Sequence, residues 1–305
     1  MKAGTNLEKV LESGRFAITA EAGPPKGTGT KAVQRKGELL RLCCDAVNVT
    51  DNQTAIVRMS SLAGCVLLKQ EGVEPVMQMV VRDRNRLAIQ ADVLGAVALG
   101  IGNILCLSGD HQKFGNHPTA KGVFDIDSIQ LIQTLKTMRD EKKFLSGEDI
   151  SGDVPLFIGA AANPFADPFE YRASRLAKKV KAGADFIQTQ AVYDMVKFAK
   201  WMKMVTGLGL DKQVHILAGM IPIKSAGMAR YMRDYVPGVS VPNEIVTRME
   251  NAANAKDEGL KIALENIEQF KEIPGVHGIH IMAVGWEDVV PEIVEQAGLL
   301  PRPML

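Results

Sequence analysis

Asn103–Asp110 reads NILCLSGD, a short apolar run that ends in Ser108, Gly109 and Asp110. A run this short, apolar without alternation, fits a strand buried on both faces. The same pattern recurs along the chain. Phe16–Glu21, Ala46–Asp51 and Pro75–Val81 precede it, and Pro155–Asn163, Phe186–Asp194, Val214–Ile223 and Gly278–Gly285 follow it. Helical stripes lie between these runs. Met59, Leu62, Ala63 and Val66 recur at i, i+3, i+4, i+7, and Phe169, Ala173, Leu176, Ala177 and Val180 extend such a stripe. Met228, Tyr231, Met232 and Tyr235 repeat it, as do Leu260, Ala263, Ile267 and Phe270. Such stripes read as core packing and carry no chemical role. Gly183 stands where a helix stop is expected.

Eight short strands alternating with helices are the arithmetic of an α/β fold of the (β/α)8 TIM-barrel type. Strand starts fall about 30 residues apart, close to one strand–helix unit. Two gaps are wider. One runs from His111 to Val154; the other, Lys224–His277, fits two helices in place of one. A doubly wound open sheet shares the alternation. The count of eight favours the barrel. So does Ala22–Thr30, AGPPKGTGT, which is neither a dinucleotide-binding glycine fingerprint nor a P-loop. A single barrel domain over residues 1–305 is expected.

Composition narrows the function classes. The 305 residues carry 36 Lys+Arg against 35 Asp+Glu, a net charge of +1, which argues against a nucleic-acid coat or a polybasic membrane binder. The longest apolar run, Leu94–Leu107, is roughly 14 residues and is interrupted by Gly and Asn, short of a membrane span. Met1–Val10 has no apolar core, so no secretory signal is expected. Cys43, Cys44, Cys65 and Cys106 form no C-x-x-C pair, which points to a reducing, cytoplasmic setting and no metal centre.

In such barrels the site is built at the C-terminal ends of the strands. Here those ends carry Glu21, Thr50 with Asp51, Gln78, Asp110, Asn163, and Gln188 with Gln190. One polar strand end is commonly a cap or turn former. Six of eight ending this way are better explained by a shared pocket. Glu21, between Ala20 and Ala22, suits a general acid, because burial disfavours a charged carboxylate. Pairing with a lysine is the alternative. Asp110 fits an N-cap, a ligand contact or an electrostatic group. Gln190 offers an amide donor and acceptor to a flat heterocycle, or fills a structural role. His277 and His280, three apart in an expected strand, point to opposite faces and make a poor metal pair. No G-x-S-x-G elbow suggests hydrolase chemistry.

The sequence resembles the methylenetetrahydrofolate reductases, most closely the variety also found fused to homocysteine methyltransferase modules. The likeness spans nearly the whole chain. It rests on AEAGPPKG (20–27), DAVNVTDN (45–52), RDRNR (82–86), NILCLSGD (103–110), GVFDIDS (122–128), KKVKAGADFIQTQ (178–190) and GMIP (219–222). It implies a (β/α)8 barrel with a flavin, FAD or FMN, that reduces 5,10-methylenetetrahydrofolate to 5-methyltetrahydrofolate. Glu21 matches the catalytic glutamate that protonates N10 and opens the substrate's five-membered ring. Asp110 matches the aspartate near flavin and folate, and Gln190 the glutamine that contacts the pterin. Thr50, Leu107, Gly109, Lys179 and Phe124 match flavin-contacting positions.

Three departures weaken the expected hold on the flavin's distal phosphate and adenine. Gln78 stands where the third strand usually has histidine, and Ser108 where an L-R-G-D motif has arginine. Asn163–Pro164 replaces a Tyr and a His of some members. The electron donor is open between NAD(P)H and a partner subunit, and a homo-oligomer is compatible. Two other classes remain: a flavin-free barrel that transfers a methyl group from methyltetrahydrofolate, and a partner-dependent subunit of an electron-transfer assembly.

Overall fold

The computed structural model describes residues 1–303, so the last two residues of the expected domain lie outside the described residues. Eight parallel strands close into a barrel in sequence order. They are β1 (Ala17–Ala22), β2 (Ala46–Val49), β3 (Pro75–Val80), β4 (Asn103–Leu107), β5 (Phe157–Ala162), β6 (Phe186–Ala191), β7 (His215–Met220) and β8 (Gly278–Ile281). β1 pairs with both β2 and β8, which seals the ring. Seven of the strands are shorter than their apolar runs, because the polar and glycine ends leave the ladder; β1 is as long as its run but shifted by one residue, and Glu21 stays paired. β4 stops at Leu107, and Gly109 turns the chain with φ at +84°.

The helices are α1 (Asn6–Glu12), α2 (Thr30–Leu40), α3 (Ser61–Gln70), α4 (Arg86–Ala98), α5 (Ser128–Asp140) and α6 (Tyr171–Ala182). They continue with α7 (Met195–Gly207), α8 (Ala226–Tyr235), α9 (Asn243–Asn251), α10 (Ala255–Glu272) and α11 (Val290–Gln296). Gly183 ends α6 in the left-handed conformation, the expected stop. Two expectations need correction. The Lys224–His277 gap holds three helices, α8 to α10, because Pro237–Gly238 and Pro242 break the chain between α8 and α9. Tyr231 and Tyr235 are exposed rather than core and lie against each other with centroids 5.7 Å apart. Only Met232 and Ala229 of that helix are buried.

Strand residues alternate between two environments. Outward side chains such as Ile18, Val47, Met77, Ile104, Ile158 and Ile279 pack under the helices. Inward ones build a floor. Ala17, Ala46, Val76, Leu105, Phe157, Phe186 and Leu217 meet Leu7, Val10 and Leu11 of α1, which plugs the N-terminal end. The Phe157 and Phe186 rings stack at 5.1 Å, and there is room only because residue 159 is glycine. A Cβ there would lie 2.2 Å from the Phe186 ring. Carboxylates pin the plug. Glu74 accepts the amides of Asn6 and Leu7 at 2.5 and 2.8 Å, and Glu8 accepts those of Ala3 and Gly4. Among the described residues no helix is long and apolar enough to cross a membrane.

Candidate active site at the strand C-termini

Above the floor the inward positions turn polar. Asn48 and Gln188 exchange two amide hydrogen bonds at 2.7 and 3.0 Å across the barrel. Gln188 Nε2 also donates to Thr19 Oγ1 at 3.0 Å, and Thr19 Oγ1 lies 2.9 Å from His280 Nδ1. His280 Nε2 in turn sits 3.8 Å from Glu21 Oε1. Gln78 Nε2 donates to the same Glu21 oxygen at 3.0 Å. The layer is buried and its polar groups answer one another, as a dry interior requires. Glu21 tops it with a fifth of its side chain exposed, less enclosed than its apolar neighbours in sequence imply.

A cleft of about 380 Å3 opens over this layer. It brings together Glu21, Gln78, Leu107, Ser108, Gly109, Asp110 and Gln190 of the expected site residues. Asn163 and Lys179 line an adjoining cleft of about 160 Å3 with Arg172 and Arg175, and Gln190 and Ala161 border both. Lys179 Nζ donates to the Ala161 carbonyl. Burial, reinforced by the neighbouring Arg175 charge, lowers the Lys179 ammonium to a pKa of about 8. Asn163 turns its Oδ1 to the amides of Phe165 and Ala166.

Two expected residues lie outside these clefts. Thr50 is buried and donates to Gln53 Oε1 at 2.6 Å, so it shapes the wall through Gln53. Phe124 is exposed, in a left-handed conformation with φ at +43°, and lines neither cleft. His277 packs edge-on against His215 below, away from His280.

The loops at the mouth are tied by Arg82, a residue whose role the sequence did not disclose. Its guanidinium is 2% exposed and pairs with Asp83 at 2.6 Å. It also donates to the carbonyls of Asp110 at 3.0 Å and Asn52 at 3.3 Å. Asp110 Oδ2 accepts the Thr54 amide at 3.1 Å. Asn52, Thr54 and Ala55 all have positive φ, a concentration of backbone strain at the rim. Gly115 completes the contact, since a Cβ there would fall 1.8 Å from the Ala55 carbonyl. Thr19, Asn48 and His280 were also missed as site residues. For Thr19 and Asn48 the signal is period two, since each precedes a strand-end polar residue by two positions, as Gln188 does; His280, followed two residues on by Met282, carries no such signal.

Comparison with known proteins agrees with this geometry. The family model described as methylenetetrahydrofolate reductase matches residues 6–298. Methylenetetrahydrofolate reductase 2 of Schizosaccharomyces pombe is 30% identical over 99% of this chain and 48% of its own length. Methylenetetrahydrofolate reductase 1 of the same yeast is 26% identical over 75% of this chain and 36% of its own. This chain thus spans at most about half the length of those relatives. In fold it is similar to an uncharacterised protein from Clostridium thermocellum that binds two copies of 5-methyl-5,6,7,8-tetrahydrofolic acid. The TM-score is 0.66 and identity 15%, covering 97% of this chain and 100% of that one. With a match from α1 to the end of the barrel and the acid, amide and aspartate of its motifs gathered over one polar layer, this chain belongs to the methylenetetrahydrofolate reductase family.

Proposed function

We propose that the protein reduces 5,10-methylenetetrahydrofolate to 5-methyltetrahydrofolate with a flavin as redox cofactor. The observation that carries this is the convergence of Glu21, Asp110 and Gln190 in one cleft of a chain from this family. The residues fit a flavin. Val80, Leu105 and Leu107 offer an apolar wall to a flat ring, and Lys179, Arg172 and Arg175 offer cations to a phosphate in the adjoining cleft. Ser108 and Gln78 add no charge to that hold. When bound, the flavin supplies the hydride.

The chain's own groups supply binding and proton transfer. Protonated Glu21 gives its proton to N10 of the substrate and opens the ring, leaving a positive charge on the one-carbon unit. Asp110 stabilises that charge from the rim. Gln190 hydrogen-bonds the pterin edge, and Gln78 fixes the Glu21 carboxyl by donating to Oε1. His280 lies between Thr19 and Glu21, its Nδ1 2.9 Å from Thr19 Oγ1 and its Nε2 3.8 Å from Glu21 Oε1, and so braces the carboxyl from below. The electron donor, NAD(P)H or a partner protein, has the same cleft to reach.

The test separates two half-reactions. In Glu21→Gln, reduction of the flavin by a competent donor should persist. Reoxidation by methylenetetrahydrofolate should slow by roughly 10²- to 10⁴-fold, the usual worth of a general acid. Stopped-flow absorbance reads both. Near-normal reoxidation would remove Glu21 from the chemistry, and equal slowing of both would leave it a purely structural role.

A further inference from the structure

The plugged end of the barrel, away from the clefts, has a cavity of its own, about 410 Å3, beside α1. Asn6, Glu74, Arg41, Cys44, Lys69 and Arg302 are among its walls. Cys44 and its neighbour Cys43 lie in the turn from α2 to β2, and the amides of both donate to the Leu40 carbonyl. Their Sγ atoms are in contact at 3.8 Å. Cys43 is buried, whereas Cys44 is partly open and on the cavity wall. A hydrogen bond with Cys44 holds the Cys43 thiol below its ordinary value, against burial and with help from the Arg302 charge. The same contact, burial and the Asp45 charge push the Cys44 thiol up. The pair therefore gives up one proton well before the other. Cys65 and Cys106 differ: they are buried, and burial pushes both thiols up.

Charge in this cavity is lopsided. Arg302 is committed to Asp45 at 2.6 Å. Glu74 accepts from the amides of Asn6 and Leu7 and from the Asn103 side chain. Arg41 and Lys69, both exposed, make no ion pair among the described residues.

We propose that Cys43 and Cys44 form a reversible modification site, a dithiol that a small acidic disulfide, seated against Arg41 and Lys69, oxidises to a disulfide between adjacent residues. The step is an exchange. The pair's thiolate, at Cys44 on the cavity wall, attacks one sulfur of the oxidant; that S–S bond breaks, and half of the oxidant leaves as a thiol. Cys43 then loses its proton and attacks Cys44 Sγ, which releases the second half as a thiol. Two electrons and two protons pass from the protein to the oxidant. Consecutive Cα atoms lie about 3.8 Å apart across a trans peptide, closer than the roughly 4.4–6.8 Å that a relaxed disulfide spans. The product is strained, and a strained disulfide is readily reduced again. The site thus follows the thiol–disulfide balance around it, and it stands apart from the folate reading.

The experiment treats the reduced holoprotein with glutathione disulfide, alkylates the remaining thiols after unfolding and reads the peptide masses. The peptide carrying Cys43 and Cys44 should lose two hydrogens and resist alkylation, while Cys65 and Cys106 stay free, and dithiothreitol should restore the pair. Cys43→Ser, which cannot close the bond, should hold a glutathione adduct at Cys44. Arg41→Gln combined with Lys69→Gln should slow closure by about 3- to 10-fold, the worth of two exposed ion pairs, and leave the rate with uncharged hydroxyethyl disulfide unchanged. A native pair that stays reduced, keeps a lasting glutathione adduct or does not reopen with dithiothreitol overturns the site. An undiminished rate with glutathione disulfide in the double variant overturns the seat of the oxidant. Should Cys43→Ser fail to fold, the native peptide masses decide alone.

Discussion

A single lysine decides how the proposed cofactor should respond to pH. Lys179 is lowered to about 8 because burial and Arg175 both disfavour its charge. A bound phosphate favours the charged form, so it binds best where Lys179 is already protonated, below pH 8. Affinity should weaken as pH rises through that value, by up to about tenfold per pH unit before levelling off. Lys179→Gln should lower the affinity and flatten the profile. Fluorescence titration of the apoprotein with flavin between about pH 6.5 and 9.5 would show it, and a profile unchanged by the substitution would release Lys179 from phosphate binding. At this scale the sequence disclosed much. Glu21, Asp110 and Gln190 were legible because each ends an apolar strand. Thr50 and Phe124 landed outside the clefts because chain position says nothing of where a rim loop folds back.

Among the elements, the loops after β2, β3 and β4 behave as one unit. Arg82 donates to backbone in the first and third while paired to Asp83 in the second. Removing the cation strands those carbonyls and leaves Asp83, a third of its side chain exposed, without the partner that, against the opposing effect of burial, holds its carboxyl below the usual range. Arg82→Gln should cost on the order of 2–3 kcal/mol and lower the melting temperature by several degrees. Arg86→Gln, which breaks the exposed bridge to Asp125, should leave it essentially unmoved. Equal losses in calorimetry would deny Arg82 its tying role. Helix existence was legible from apolar spacing, but the α8–α9 break was not. The two stripes read in that gap, Met228–Tyr235 and Leu260–Phe270, fall on α8 and α10, so the short α9 between them was missed, and the tyrosines were counted as core from spacing alone.

For the whole molecule, closure is the defining fact, and the count of eight strands made it readable from sequence. What sequence could not give was the register at which β1 meets β8, Ala17 opposite Gly278 in the longest-range ladder of all. The β1–β8 ladder pairs four residues, as many as β1–β2, where Arg302 holds Asp45 bidentately while Asp45 accepts the Ile18 amide. The seam should therefore be no weaker than the rest. Hydrogen exchange of the β1 and β8 amides should be as slow as that of β4 and β5, reporting global unfolding. Markedly faster exchange at the seam would mean that the ring opens there first.

The plug of α1 and the stacked phenylalanines gives the barrel one rim and a sealed base. A vessel of that shape has a single doorway. With a main cleft of about 380 Å3, the proposed reductant and folate would queue for the same entrance. On that proposal one guest would have to depart before the next arrives, and any proton Glu21 spends would be replenished through that doorway too.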